Sequence, residues 1–173
     1  VYKRQGFTLQ LDEIQAAFAA EPNPTLEVRL DRIARIEKMI RANEEKICKV
    51  ISADFGVRHS IETRLAEFQM IYQACHFTQK HLKEWMKPQQ VETPITLGSS
   101  EAWIQNQALG VVGIMSPWNY PVQLALVPAI AAFAAGNRLW LKPSERCSRT
   151  SGFLANLIPV SYTHLTLPTK RIV

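Results

Sequence analysis

Residues 109–145 read LGVVGIMSPWNYPVQLALVPAIAAFAAGNRLWLKPSE. An apolar run, a polar turn, a long apolar stretch and a second apolar run ending on Lys142 and Glu145 follow one another. That order predicts a strand at 109–115, a crossover helix at 120–135 and a second strand at 138–141. The first strand is nearly all apolar, as expected of one buried on both faces. The alanines at 129, 131, 132, 134 and 135 suit a helix packed closely on a sheet, and Gly136-Asn137 suits its end. The polar residues fall after each strand, and open α/β sheets hold ligands at the carboxyl ends of their strands. A further helix is expected at 148–157.

Working back from this unit, the first half reads as helix. Residues 7–20 form an amphipathic stretch, and Glu21-Pro22-Asn23-Pro24 breaks it. Thr25 suits an N-cap. Leu26, Leu30, Ile33, Ile36, Ile40, Ile47 and Ile51 then make one apolar stripe, read as one helix that ends at a left-handed Gly56. A third helix follows Ser60, with Ile61, Leu65, Phe68, Tyr72, Cys75, Leu82 and Trp85 as its buried face and Pro88 beyond its end. The two long helices are expected to pair antiparallel. Residues 89–107 lose helical period and gain threonine and valine, so strands are expected at 91–97 and 102–107, in a hairpin with an edge open to another subunit.

Bulk properties narrow the class. The chain has 173 residues, 47% hydrophobic and 20% charged, which suits a folded globular protein. Its longest apolar stretch, residues 122–135, is too short for a spanning helix and carries Gln123 and Pro128. The start is not a signal peptide and lacks an initiator methionine, so a processed chain or a piece of a longer one is expected. Cys48, Cys75 and Cys147 have no metal-ligand spacing with the four histidines, and no metal is expected. The unpaired count points to a reducing, cytoplasmic setting. The net charge of +5 is mild, and Lys170 and Arg171 supply two of those charges, so a nucleic-acid partner is not expected. Residues 160–173 show neither sustained alternation nor helical period and read as a non-native tail.

Two turns carry chemistry. In Ser116-Pro117-Trp118-Asn119-Tyr120-Pro121, two prolines stiffen the chain around Asn119. Its amide suits an oxyanion donor fixed in advance, or a bond to its own turn. In Lys142-Pro143-Ser144-Glu145, the acid suits ribose hydroxyls at the end of a strand, or the start of the next helix. Gly110 and Gly113 lie within the strand and do not spell the usual dinucleotide fingerprint.

These motifs, with Pro128 and Ala134-Ala135-Gly136-Asn137, resemble the NAD(P)-dependent aldehyde dehydrogenases. Asp54-Phe55-Gly56, Glu62-Thr63-Arg64-Leu65-Ala66-Glu67 and residues 81–88 are similar to the class-3-like branch, and most to its coniferyl aldehyde dehydrogenases. The similarity spans roughly residues 6–159. It implies an α/β fold: N-terminal helices over residues 1–90, oligomerisation strands over 91–107 and the first βαβ part of a Rossmann-like cofactor domain over 108–159. It implies that Asn119 is the oxyanion donor, and that Met115, Ser116, Pro117 and Trp118 line the nicotinamide side. Lys142, Ser144 and Glu145 would meet the adenosine ribose of NAD or NADP. The substrate would be an aldehyde and the parent enzyme a homodimer.

The family's cysteine nucleophile, general-base glutamate and glycine-rich pyrophosphate turn belong to motifs that the 173 residues do not contain. The three cysteines present do not match the nucleophile. The chain therefore reads as the N-terminal third of such an enzyme, inactive by itself. Acyl-phosphate and acyl-CoA reductases share a related fold and are set aside only on similarity. A stand-alone nucleotide-binding module and a helical interaction protein are the other readings the residues leave open.

Overall fold

The structure is a computed structural model that describes the backbone of residues 2–161 and the side chains of residues 8–158. The tail expected at 160–173 lies outside the described residues beyond Ser161. Five helices come first: α1 (Tyr2–Ala20), α2 (Leu26–Arg41), α3 (Glu44–Phe55), α4 (Ser60–Thr63) and α5 (Gln69–Trp85). A short antiparallel pair follows, β1 (Gln89–Val91) and β2 (Ala102–Ile104), and then β3 (Val111–Met115), α6 (Gln123–Ala134), β4 (Arg138–Lys142) and α7 (Ser148–Ser161).

The α/β unit forms as its sequence pattern predicts. β3 and β4 are parallel and in register from Val111 opposite Arg138 to Met115 opposite Lys142. Their faces differ. Ile114, Leu139 and Leu141 are buried in the core beneath α6. Val111, Gly113 and Trp140 look the other way, toward Leu11, Gln15 and Phe18 of α1. That second face is only partly covered, and Met115 is 83% exposed, so burial of β3 on both faces is corrected to burial on one. Helix α6 is apolar nearly all round because it lies between layers, with α2 and α5 on one side and the strands on the other. It begins at Gln123, three residues later than expected, because the turn after Asn119 is not helical.

The N-terminal half holds two corrections. The stripe from Leu26 to Ile51 is carried by two helices, not one. α2 stops at Arg41, and the Asn43 side-chain amide donates to the Met39 carbonyl at 2.9 Å, closing the end of the helix. The stripe survives the break because Ile40 and Ile47 both stay buried. The helix after Ser60 contains a π-turn at Arg64–Phe68 between α4 and α5. The wider turn adds a residue and rotates what precedes it. Thr63 and Glu67 therefore turn inward, and Ile61 and Leu65 turn out to 59% and 65% exposure. Trp85, at the far end, is also exposed, while Phe68, Tyr72, Cys75 and Leu82 form the expected core face.

Helices α2 and α5 run antiparallel. Cys75 contacts the Ile33 carbonyl and His76 contacts Glu37, while Tyr72 donates to Glu44 at the start of α3 at 2.6 Å. Thr25 caps α2 by accepting the Val28 N–H, and Gly56 closes α3 with φ +83°. The strand expected at 91–97 is shorter and earlier, since residues Ile95–Leu97 form a 3₁₀ turn. The strand expected at 102–107 is confined to β2, and Trp103 and Ile104 are exposed.

Candidate functional site

Parallel pairing sends the two chemical turns to one edge of the sheet. Met115 and Lys142 are the last paired residues, and the Ser116 N–H donates to the Lys142 carbonyl at 3.1 Å, one rung further. Residues 116–122 and 143–147 thus leave the strands side by side. The Cys147 thiol lies 3.2 Å from the Trp118 carbonyl and joins the two turns directly. The Trp118 ring meets Phe55 at 6.2 Å between centroids, which ties the first turn to α3.

Asn119 is exposed, and its side-chain amide makes no hydrogen bond to any described residue. Its backbone carbonyl accepts from the Arg58 guanidinium at 2.9 Å. Arg58 is itself fixed: it pairs with Glu62 at 3.0 Å and Glu67 at 3.4 Å, and it covers the rings of Phe55 and Tyr120 at 4.5 and 4.7 Å. Met115, Pro117 and Trp118 are exposed beside it, while Ser116 is buried.

In the second turn, Lys142 and Glu145 form an ion pair. The Lys142 hydrogen bond, with the backbone N–H of Glu145 and the charge of Lys142, holds the Glu145 carboxyl below the usual carboxylate range. Glu145 is thus an ionised acceptor with solvent access. Ser144 is buried, and its hydroxyl accepts the Arg146 N–H at 3.3 Å, so it caps the short 3₁₀ turn Glu145–Cys147. The Ser144 carbonyl accepts the Ser151 hydroxyl at 2.7 Å.

Sequence reasoning missed two carboxylates that shape this edge. Glu67 is fully buried and accepts the N–H groups of Val122 at 2.7 Å and Gln123 at 3.0 Å, the free donors at the start of α6. Burial pushes its carboxyl up, against the pull of those two N–H groups and Arg58. Asp54 does the same for α7, accepting from Arg149 at 3.1 Å and Thr150 at 2.7 Å. A signal for the first existed: Tyr120, Pro121 and Val122 offer no capping side chain, so the helix start needed a partner from elsewhere. The consequence is chemical. A helix N-terminus is a natural seat for a pyrophosphate, and here both are already taken by carboxylates. The missing glycine fingerprint between β3 and α6 agrees with that. Arg58 carries no local signal, because its role depends on a turn 61 residues away.

Asn137 completes the unit behind the edge. Its side chain accepts from Leu109 at 2.7 Å and Gly110 at 3.0 Å and so starts β3. Among the described residues no group of three or more His, Cys, Asp or Glu side chains is placed to hold a metal ion, and no helix is long and apolar enough to cross a membrane.

Residues 9–161 match the aldehyde dehydrogenase family. The coniferyl aldehyde dehydrogenase of Pseudomonas sp. (strain HR199 / DSM 7063) is 38% identical over 159 residues, covering 92% of this chain and 33% of that protein. The chloroplastic aldehyde dehydrogenase family 3 member I1 of Arabidopsis thaliana is 36% identical, covering 86% and 27%. Among solved structures, substrate-bound Staphylococcus aureus AldH superposes with a TM-score of 0.90 at 25% identity, over 96% of this chain and 36% of that one. The NADP+ complex of succinic semialdehyde dehydrogenase from Streptococcus pyogenes shares the fold, with a TM-score of 0.81 at 19% identity over 97% of this chain and 36% of that one. The chain spans about a third of the length of the curated relatives it matches.

Proposed function

The chain belongs to the aldehyde dehydrogenase family, and from that premise we propose that it is the N-terminal third of an NAD(P)-dependent enzyme that oxidises an aldehyde of the coniferyl type to its acid. One observation carries the reading. The turn bearing Asn119 and the turn bearing Lys142 and Glu145 leave adjacent parallel strands at one edge and touch through Cys147 and Trp118.

Within that enzyme, residues 1–90 are the N-terminal helical region and 91–107 its oligomerisation strands. Residues 108–159 begin the cofactor domain, and 160–173 are a tail foreign to it. The exposed apolar residues Trp103 and Ile104 on β2 support the second assignment, toward a homodimer. Unpaired Cys48, Cys75 and Cys147 suit the reducing cytoplasm.

The donor set at the edge fits a nicotinamide dinucleotide. The ionised Glu145 carboxylate accepts from ribose hydroxyls, and the Lys142 ammonium donates to the same ribose or balances a phosphate on it. Ser144 shapes that turn from within. Met115, Ser116, Pro117 and Trp118 line the nicotinamide side. The bound cofactor supplies the hydride acceptor. Asn119 donates its amide N–H to the carbonyl oxygen as that oxygen gains charge, and since that amide bonds to no described residue the donor is available.

The chain's own thiols do not serve as the nucleophile. A thiolate attacks, not a thiol. All three are buried, and burial pushes each one up, Cys75 to about 12. The 173-residue chain is therefore inactive alone. The test is expression of the complete reading frame that contains this chain, assayed for NAD(P)H formation with coniferaldehyde and aliphatic aldehydes. Turnover by the full-length enzyme and none by the 173-residue chain is expected. A full-length protein that oxidises no aldehyde overturns the activity, and turnover by the short chain overturns its inactivity.

A further inference from the structure

We propose that Arg58 and Cys147 are positioning residues that lock the two peptide groups on either side of Asn119. The Trp118 carbonyl belongs to the peptide entering Asn119, and the Asn119 carbonyl to the peptide leaving it. The Cys147 thiol holds the first at 3.2 Å, and the Arg58 guanidinium holds the second at 2.9 Å. The two peptide planes meet at the Asn119 Cα, so fixing both planes fixes both backbone torsions of that residue. This is needed because the exposed Asn119 side chain bonds to no described residue. The backbone sets where its Cα–Cβ bond points, and no described side chain holds its χ1 and χ2 torsions.

The two donors come from separate parts of the fold. Arg58 sits between α3 and α4, braced by Glu62, Glu67 and the rings of Phe55 and Tyr120. Cys147 ends the turn after β4 and is 2% exposed. Each is held from behind, so each acts as a fixed point. A Cys147 that served only as a small buried side chain would not need its sulfur within bonding distance of one particular carbonyl. The catalytic consequence rests on the oxyanion role proposed for Asn119, since misplacing a donor by about 1 Å costs on the order of 10²-fold in rate. The lock itself does not rest on it.

The test therefore has two readouts. In the 173-residue chain, NMR follows the carbonyl carbons of Trp118 and Asn119 and the Asn119 side-chain amide. The variants are Cys147→Ala, Cys147→Ser, which keeps a donor, and Arg58→Lys, which keeps the charge but loses the planar fork. Cys147→Ala should move the Trp118 carbonyl signal and broaden or double the Asn119 signals, with an unchanged far-ultraviolet spectrum. Cys147→Ser should restore them, and Arg58→Lys should move the Asn119 carbonyl signal.

In the full-length enzyme, Cys147→Ala and Arg58→Lys should each lower kcat about tenfold, with KM for NAD(P) unchanged, and Cys147→Ser should recover it. Signals that stay in place in both Cys147→Ala and Arg58→Lys overturn the lock. Signals that move while kcat stays constant overturn its catalytic role. If Asn119→Ala itself leaves kcat unchanged, the oxyanion reading fails, and the NMR result still decides the lock.

Discussion

The Glu67 carboxylate accepts the backbone N–H of Val122 at 2.7 Å, across 55 residues of sequence. One buried acid from the π-turn thus starts the crossover helix of the α/β unit. It replaces the capping side chain that Tyr120, Pro121 and Val122 do not supply.

Removing that acid strands two N–H groups and leaves Arg58 short of a partner. Glu67→Ala should destabilise the fold by about 3 kcal/mol, read by urea denaturation. Glu67→Gln keeps one acceptor and should cost less. Its pH dependence has a definite sign. Burial raises the folded carboxyl above 4.5, so the folded state holds the proton more tightly than the unfolded chain. The stability from that proton is fully present below 4.5 and is lost as pH rises through the folded value. Glu67→Gln should therefore gain on the parent as pH rises above 4.5 through the folded value. A constant difference across that range would remove the buried acid from the account.

Two glycines should respond in opposite ways to alanine. Gly136 has φ +88°, and a Cβ there would sit 2.9 Å from the Arg29 guanidinium carbon. Arg29 has little room to yield, since it donates to the Pro24 and Ala134 carbonyls at 2.9 Å each. Gly136→Ala should cost about 2 kcal/mol in thermal unfolding. Gly152 lies in α7 with open space where a Cβ would stand. Gly152→Ala should gain about 0.5–1 kcal/mol.

Asn119→Ala should separate function from stability. The exposed amide bonds to no described residue, so unfolding should shift by less than about 0.5 kcal/mol. In the full-length enzyme, kcat should fall on the order of 10²–10³-fold, the scale of one oxyanion donor.

The three thiols should resist a disulfide reagent in the native chain and react together on unfolding. Each is buried and held protonated by its surroundings, with Cys75 pushed up to about 12. A thiol that reacts rapidly under native conditions would point to an accessible thiolate and weaken the case for an inactive chain.

Local chemistry made much of this architecture readable. Thr25, Gly56 and Gly136 work where the pattern places them, and the apolar runs 109–115 and 138–141 form adjacent parallel strands. What was not readable depends on distant neighbours. The apolar stripe from Leu26 to Ile51 is the same whether one helix or two carries it, so the break closed by Asn43 left no mark in its spacing. The π-turn moved Ile61 and Leu65 outward because Glu67 had to reach α6. The second face of β3 reads as buried from composition, yet α1 covers only part of it. At the candidate site, Asn119, Lys142 and Glu145 stood out by position after strands, but Arg58 acts on a turn its own neighbourhood does not mention.

The clasp on the Asn119 turn sets an order of events while the protein is being made. Arg58 leaves the ribosome 61 residues ahead of its target, and Cys147 emerges 29 residues behind Trp118. A nascent chain stalled between these two points would carry one half of the clasp and a turn still free to wander. The Asn119 turn takes its final stance only once the strand, β4, and the bend that follows it have been synthesised.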